Sequence, residues 1–182
     1  MVEGFGIEDF PYAFVWNKSV PPKVNFLVWC ILHEKLNTID NLHIRGVDIY
    51  NSCILCGDDT ESHDHVFLHC KVAHKIWSMI FPTSCWSWVV PGNMKMLACN
   101  WQHKHFSASG NFIWSLIPAA VVYTIWLERN KRIFEPNHTF KTEADLGMEV
   151  RSSILAWADA ANRSVHINHA STVLNTSDAI FI

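Results

Sequence analysis

The chain has 182 residues, of which 49% are hydrophobic and 17% are charged, and its formal net charge is −3. This composition excludes an intrinsically disordered protein and provides enough apolar side chains for one sizeable core. The slightly acidic balance argues against a protein that binds nucleic acid mainly by electrostatic attraction, because such proteins carry a basic domain or stripe.

The N-terminal residues are acidic and lack the basic and apolar regions of a signal peptide. We therefore expect an intracellular protein, cytoplasmic or nuclear and not secreted, whose cysteines bind metal rather than form disulfides. The longest apolar run covers residues 112–127 and is interrupted by Ser115, Pro118 and Thr124. It is short for a membrane span and predicts a buried helix, so no membrane partner is expected.

In the N-terminal half, Pro21 and Pro22 precede an apolar segment over residues 24–36 that predicts a buried helix. Proline is favoured in a first helical turn because no N–H group is needed there. Thr38 is a suitable N-cap for a short second helix, and Gly46 is suited to end it.

Further along the chain, apolar residues recur at helical spacing from residue 66 to residue 80, where Pro82 ends the segment. Additional helices are predicted over residues 93–101, 113–134 and 142–161. Thr142 and Asp145 form a capping pair at the start of the last one. No convincing strand pattern is present, so the predicted fold class is all-α, organised around one zinc loop with additional C-terminal helices.

The motif with the clearest chemistry is Cys53 and Cys56 in C-x2-C spacing, followed by Gly57. Two thiolates at this spacing can hold one tetrahedral zinc ion from a tight turn, and glycine permits the backbone conformation that the turn needs. Two complete ligand sets are compatible with the spacing: Cys53, Cys56, His65 and Cys70, or Cys53, Cys56, His69 and His74.

The set with His69 and His74 has the spacing of a DNA-reading zinc finger. However, Thr60 stands where such a finger has an aromatic residue, and the loop is acidic instead of basic. In the other set, His65 and Cys70 would lie about 140° apart around a regular helix. A helix break after Cys70, with a new helix from about Val72, would remove that difficulty. Spacing alone leaves the choice open.

No catalytic role is expected for this site. His33 and Glu34 begin like a zinc-protease motif, but Asn37 occupies the position of the second histidine. The only Asp-Asp pair, at 58–59, lies inside the zinc loop, so no polymerase motif is present. Four protein ligands would also leave the metal no open position for water. The sequence therefore predicts one structural Zn²⁺ ion and no enzyme activity.

The residues that flank the motif are specific as a group: Trp16, Val20 to Val24, Phe26 to Trp29 and Lys35 to Thr38 before it, and Glu61, Ser62, His65 to Phe67 and Trp77 after it. Over residues 14–81 they closely resemble the reverse-transcriptase zinc-binding domain of plant LINE-type (non-LTR) retrotransposons. Residues 125–134 are similar to a segment that often follows that domain. The resemblance implies that the zinc ligands are Cys53, Cys56, His65 and Cys70.

The resemblance also implies a function. We expect a non-catalytic, accessory nucleic-acid-binding element, with weak binding to RNA or single-stranded DNA and with the polymerase part of a retroelement protein as a partner. The candidate phosphate contacts are Arg129, Lys131, Arg132, Lys18 and Lys23. The alternative is a zinc-stabilised structural or protein-interaction module that does not bind nucleic acid. A basic stripe on the folded surface would favour the first, and a broad apolar patch the second.

The sequence thus predicts five segments. They are an irregular lead-in at 1–13, the zinc-binding domain at 14–81, a linker with a helix at 82–110, a C-terminal helical segment at 111–162 and a flexible tail at 163–182.

Overall fold

The computed structural model describes residues 10–80, 89–101 and 107–161. Within these ranges the protein is helical and contains no strand, which confirms the all-α prediction. The elements are α1 (Tyr12–Val15), α2 (Pro22–Leu32), α3 (Ile39–Ile44), a π-helical turn (His65–His69), α4 (Lys71–Ile80), α5 (Met94–Asn100), α6 (Ala108–Phe134) and α7 (Glu143–Ala161). The predicted tail and most of the predicted lead-in lie outside the described residues.

Helix α2 is buried along most of its length, as predicted. Pro22 occupies its first turn, where the missing N–H group is not needed. The helix ends at Leu32, four residues earlier than predicted. The reason is Glu34, whose φ of 54° lies in the left-handed region, a conformation that cannot continue a right-handed helix.

The N-terminus of α3 is capped differently from the prediction. The Thr38 side chain makes no capping hydrogen bond, and its hydroxyl instead lies 3.1 Å from Nδ1 of His63. The Ile39 N–H group donates to Oε1 of Glu61 at 3.0 Å. A residue far downstream therefore supplies the acceptor that the first turn needs. Gly46, with a φ of 82°, follows the end of α3 as predicted.

The long helix α6 forms the centre of the fold and packs against α2, α4, α7 and the π-helical turn. Ser107 caps it, accepting a hydrogen bond from the Gly110 N–H group at 3.0 Å. Pro118 lies inside the helix and removes one backbone donor. The carbonyl of Trp114, one turn earlier, instead accepts a hydrogen bond from the indole N–H of Trp101 at 3.1 Å.

Length and composition alone would allow α6 to cross a membrane, the one such helix in the described part of the chain. However, 61% of its most apolar window is buried inside the protein. The buried central helix of a protein core has the same composition, so this finding is weak evidence for a membrane.

One hydrophobic core joins the predicted zinc-binding segment to the predicted C-terminal segment. Helices α2 and α4 of the first pack against α6 and α7 of the second. Trp77 on α4 is fully buried, and its indole N–H donates to the Phe67 carbonyl in the π-helical turn at 2.8 Å. The metal-binding region and the C-terminal helices therefore share their apolar interior.

Helix α7 begins with the predicted capping pair. The Thr142 N–H group donates to Oδ2 of Asp145 at 3.0 Å, and the Asp145 N–H group donates to Oγ1 of Thr142 at 3.2 Å. Each side chain thus caps a backbone donor of the other residue.

Glu128 on α6 holds the connection between α6 and α7. It accepts hydrogen bonds from Nε of Arg132 at 2.8 Å, Nε2 of His138 at 3.0 Å and the Lys141 N–H group at 3.2 Å. Burial acts to raise the pKa of Glu128, but these donors outweigh burial and hold the pKa below its ordinary value.

Replacing Glu128 by glutamine should lower the free energy of unfolding at neutral pH by about 2 kcal/mol, because the buried donors lose an ionised acceptor. The folded-state pKa lies below the unfolded one, so this stabilisation is fully present above the unfolded pKa and is lost as pH falls through the folded pKa. Urea unfolding of both proteins at neutral and acidic pH measures this. A stability difference that stays constant on acidification would contradict the role of the charge.

Candidate metal centre

Two of the four predicted ligands lie on one tight turn. The Cys53 N–H group donates to the Asp59 carbonyl at 2.8 Å, and the Gly57 N–H group donates to the Cys53 carbonyl at 2.7 Å. Gly57 has a φ of 74°, a left-handed conformation that favours glycine. The turn therefore closes on itself and brings Cys53 and Cys56 to the same side.

The other two ligands flank a break in the helix. The Cys70 N–H group donates to the His65 carbonyl at 2.6 Å, a hydrogen bond five residues long that defines the π-helical turn. Cys70 then leaves the helix with a ψ of 134°, and α4 begins at Lys71. The predicted break after Cys70 is confirmed, with the new helix starting one residue earlier than expected. This interruption brings His65 and Cys70 together.

The spacing of the four ligand atoms fits one zinc ion. All four lie within 4.8 Å of one another, with 3.9 Å between the sulfurs of Cys53 and Cys70 and 3.4 Å between Cys56 Sγ and His65 Nε2. Tetrahedral zinc, with bonds of about 2.3 Å to sulfur and about 2.0 Å to nitrogen, requires about 3.8 Å between two sulfurs and about 3.5 Å between sulfur and nitrogen. The protein supplies all four positions, as in a structural zinc site.

The pKa values of the two buried cysteines are shifted in opposite directions. The hydrogen bond that Cys53 donates to Cys70, followed by burial, raises the pKa of Cys53. That hydrogen bond also lowers the pKa of Cys70, and the backbone N–H groups of Ala73 and Val72 at the start of α4 assist. Helix α4 thus favours the thiolate form of Cys70, which is the form that binds metal.

His65 is held in the form that a metal requires. Burial lowers the pKa of His65, which keeps the imidazole neutral. The Asp59 carboxylate lies 3.7 Å from Nδ1, while Nε2 faces Cys56. A carboxylate near the second ring nitrogen is a common partner of a ligating histidine, because it orients the ring.

The competing histidines do not reach this cluster. His69 and His74 are exposed, and Nε2 of His69 lies 3.2 Å from the Gly92 carbonyl. In the described ranges, the group of side chains able to hold a metal ion is Cys53, Cys56, His65 and Cys70. These are the four ligands that the family resemblance implies.

Arg129, one of the predicted phosphate contacts, is buried behind the zinc loop. Its side chain is 3% exposed, and that of Glu61 is fully buried. Nε and Nη2 of Arg129 donate to the two carboxylate oxygens of Glu61 at 3.2 Å and 2.5 Å. From the sequence, Glu61 is one of the residues that flank the motif, and nothing in the pattern identifies it as a structural partner of Arg129.

Arg132 is also engaged inside the protein, with a side chain that is 8% exposed. Besides its hydrogen bond to Glu128, its Nη1 donates at 3.2 Å to the carbonyl of Leu55, which lies between Cys53 and Cys56. The expectation that Arg129 and Arg132 present free charges to phosphate therefore needs correction. Both contact the zinc-binding region instead.

The three predicted lysines remain accessible. Lys18 and Lys23 are exposed and Lys131 is partly exposed. The Lys23 ammonium lies 5.4 Å from the centre of the Tyr123 ring, within the range of a cation–π contact. Their contact with nucleic acid stays a prediction.

The fold and the site define a helical zinc-binding domain with a Cys3His centre. Residues 3–77 match the family model described as zinc-binding in reverse transcriptase. The match confirms the predicted resemblance to a reverse-transcriptase zinc-binding domain over this part of the chain. This family is a zinc-binding accessory domain and not a catalytic one.

A plant relative extends the similarity beyond the family match. An Arabidopsis thaliana protein named "Putative ribonuclease H protein" is 25% identical over 126 residues, which represent 68% of this chain and 20% of the relative. The chain thus spans about one fifth of the length of that relative. No solved structure matches the chain.

The ligand set predicts which substitutions remove the metal. Cys53→Ser, Cys56→Ser, His65→Ala and Cys70→Ser should each lose zinc, because each removes one of four bonds from a binding free energy on the order of 10 kcal/mol. His69→Ala and His74→Ala should keep a full equivalent and serve as matched controls. Native mass spectrometry measures the metal content. Zinc that is lost from His69→Ala and kept by His65→Ala would establish the other ligand set.

Proposed function

We propose that this domain is a zinc-stabilised protein-interaction module. It binds a partner protein in an apolar groove beside the metal centre. The observation that supports this is a groove of about 870 Å³ between α3, the zinc loop and the C-terminal end of α6. The apolar side chains that define the groove include Leu42, Val47, Tyr50, Ile54, Ile133 and Phe134.

The groove exposes large apolar side chains close to one another. Tyr50 is 89% exposed and Phe134 is 71% exposed, and both line the same groove. Single exposed apolar residues are ordinary, but a contiguous group of them is typical of a binding surface. Aromatic side chains are also frequent among the residues that contribute most to protein–protein affinity.

The charges in the groove favour an uncharged partner surface. Arg129 is the charged residue in its described lining, and that guanidinium is already paired with Glu61. The polar residues of the lining are Asn37, Ser52 and Asn130. A phosphate group would lose water here without gaining a free cation, whereas the apolar face of a peptide helix would lose little.

The partner that we propose is the polymerase part of a retroelement protein. Two observations support it: the matched family is described by its occurrence in reverse transcriptase, and the plant relative is about five times as long as the aligned region. Three cysteine ligands require a reducing environment, so we place this interaction inside the cell.

Phe134→Asp should weaken binding to a recombinant reverse-transcriptase segment of such a protein by about 30-fold, the loss expected for an aromatic residue at the centre of an interface. Isothermal titration calorimetry of the zinc-loaded proteins measures this. Phe26→Asp is the matched control, since Phe26 is 58% exposed on α2 and does not line the groove.

Three results are informative in this comparison. Affinity lost in Phe134→Asp and kept in Phe26→Asp supports the groove. Equal affinity of both variants and the unmodified protein would show that the interface lies outside the groove. A complete absence of binding by the unmodified protein would exclude the proposed partner.

Nucleic-acid binding is a second candidate function, supported by the family match and by exposed lysines. Weak binding to a single-stranded oligonucleotide, if carried by Lys18, Lys23 and Lys131, should decrease with salt with a slope of roughly −2 on logarithmic axes. Replacing all three by alanine should flatten that slope without loss of zinc, as a filter-binding assay across a salt series would show. No binding by the zinc-loaded protein at low salt would exclude this function.

A further inference from the structure

The zinc loop between the second and third ligands is exposed in its first part and buried further on. Residues 57–60 are all exposed. Glu61 follows them directly and is fully buried, four residues before the ligand His65. His63 is also buried, with its Nε2 3.2 Å from the Leu36 N–H group and its Nδ1 3.1 Å from the Thr38 hydroxyl. Glu61 is therefore one of two buried polar side chains that hold the chain between Cys56 and His65.

The buried carboxylate of Glu61 ties together three separate segments. Its Oε1 accepts hydrogen bonds from the Ile39 N–H group and from Nη2 of Arg129, and its Oε2 accepts one from Nε of Arg129. The Glu61 N–H group donates to Oδ1 of Asn51 at 2.7 Å. Asn51 lies two residues before Cys53. This contact therefore joins Glu61 to the segment that leads into the first zinc ligand.

Arg129 reaches this carboxylate from α6, a helix that lies outside the family-model match at residues 3–77. Its Nη2 also donates to the Asn37 carbonyl at 3.2 Å, and its guanidinium lies 4.9 Å from the centre of the Trp126 ring. These contacts fix the planar guanidinium in the orientation that allows two parallel hydrogen bonds to a carboxylate.

We propose that Arg129 is a positioning residue of the metal centre: through Glu61 it holds the loop that joins the second and third ligands and thereby slows the loss of zinc. A buried ion pair whose one partner is removed leaves an uncompensated charge, which is strongly unfavourable. Without Arg129, the Glu61 carboxylate gains by moving into water, and such a movement displaces the chain that leads into His65.

The test compares how fast the zinc-loaded proteins release metal to excess chelator. Arg129→Met removes the charge and keeps much of the apolar volume, and Arg129→Lys keeps the charge but cannot donate in the same planar geometry. We expect Arg129→Met to release zinc at least about tenfold faster, the lower end of the effect of losing a residue that supports metal ligands. Arg151→Met is the matched control, because Arg151 is exposed on α7 and bonds only the Met79 carbonyl in the described structure.

Two further measurements separate positioning from a general effect on stability. The absorption spectrum of the cobalt-substituted protein reports the geometry of the four ligands and should change in Arg129→Met. Glu61→Gln should resemble Arg129→Met, and the double variant should release zinc little faster than either, because the two side chains act as one unit.

Release from Arg129→Met within about twofold of the unmodified protein, with an unchanged cobalt spectrum, would overturn the proposal. So would release that accelerates only in proportion to global unfolding, measured by urea on the same samples. If Arg129→Met does not fold, the same comparison on Arg129→Lys decides: faster release and an altered cobalt spectrum support positioning, and unchanged values overturn it.

Discussion

The tetrahedral geometry of zinc imposes the main constraint on this fold. His65 and Cys70 must approach one point, yet a regular helix would place them on different sides. The chain meets the constraint with a π-helical turn followed by an extended residue, Cys70. The π-helical turn changes the backbone hydrogen-bonding pattern of the helix. The Phe67 carbonyl within the turn accepts a hydrogen bond from the indole N–H group of Trp77. The metal requirement thus accounts for the local backbone, and Trp77 on the next helix supplies a donor to that backbone.

The same constraint explains why α6 is needed beside the zinc loop. A short, polar loop has few apolar side chains, so it cannot fix its own position by hydrophobic burial. Hydrogen bonds and ion pairs from a neighbouring helix supply the missing contacts. Arg129 reaches Glu61, Arg132 reaches the Leu55 carbonyl, and the Trp126 ring lies 6.1 Å from the ring of Phe67. Helix α6 thus supports a loop that has no regular secondary structure of its own.

Features that depend on neighbouring residues could be predicted from the sequence. The C-x2-C turn, the glycine that ends α3 and the Thr142–Asp145 capping pair belong to this group. Features that depend on distant residues could not be predicted. Thr38 is a residue type that often caps a helix, but its hydroxyl hydrogen-bonds to His63, 25 residues away. The cap is instead supplied by Glu61, which appears as one acidic residue among several in the loop.

The arginines show why charge alone is a poor guide to function in this chain. Arg129 and Arg132 form the most basic part of the sequence together with Lys131, and a basic cluster at a helix end usually faces solvent. Whether an arginine is free depends on which carboxylates the fold brings near it. Here two buried glutamates, Glu61 and Glu128, neutralise both. The surface next to them is consequently apolar rather than basic.

The apolar groove and the metal centre share residues. Cys53 and Gly57 line the groove, and Ile54 lies between the two first ligands. The groove wall is therefore part of the zinc turn, and its shape exists only while the turn is folded. A partner that binds only this folded form stabilises it by mass action. The zinc ion would then be retained longer in the complex than in the free protein. In turn, metal binding would set the fraction of protein molecules that can bind the partner.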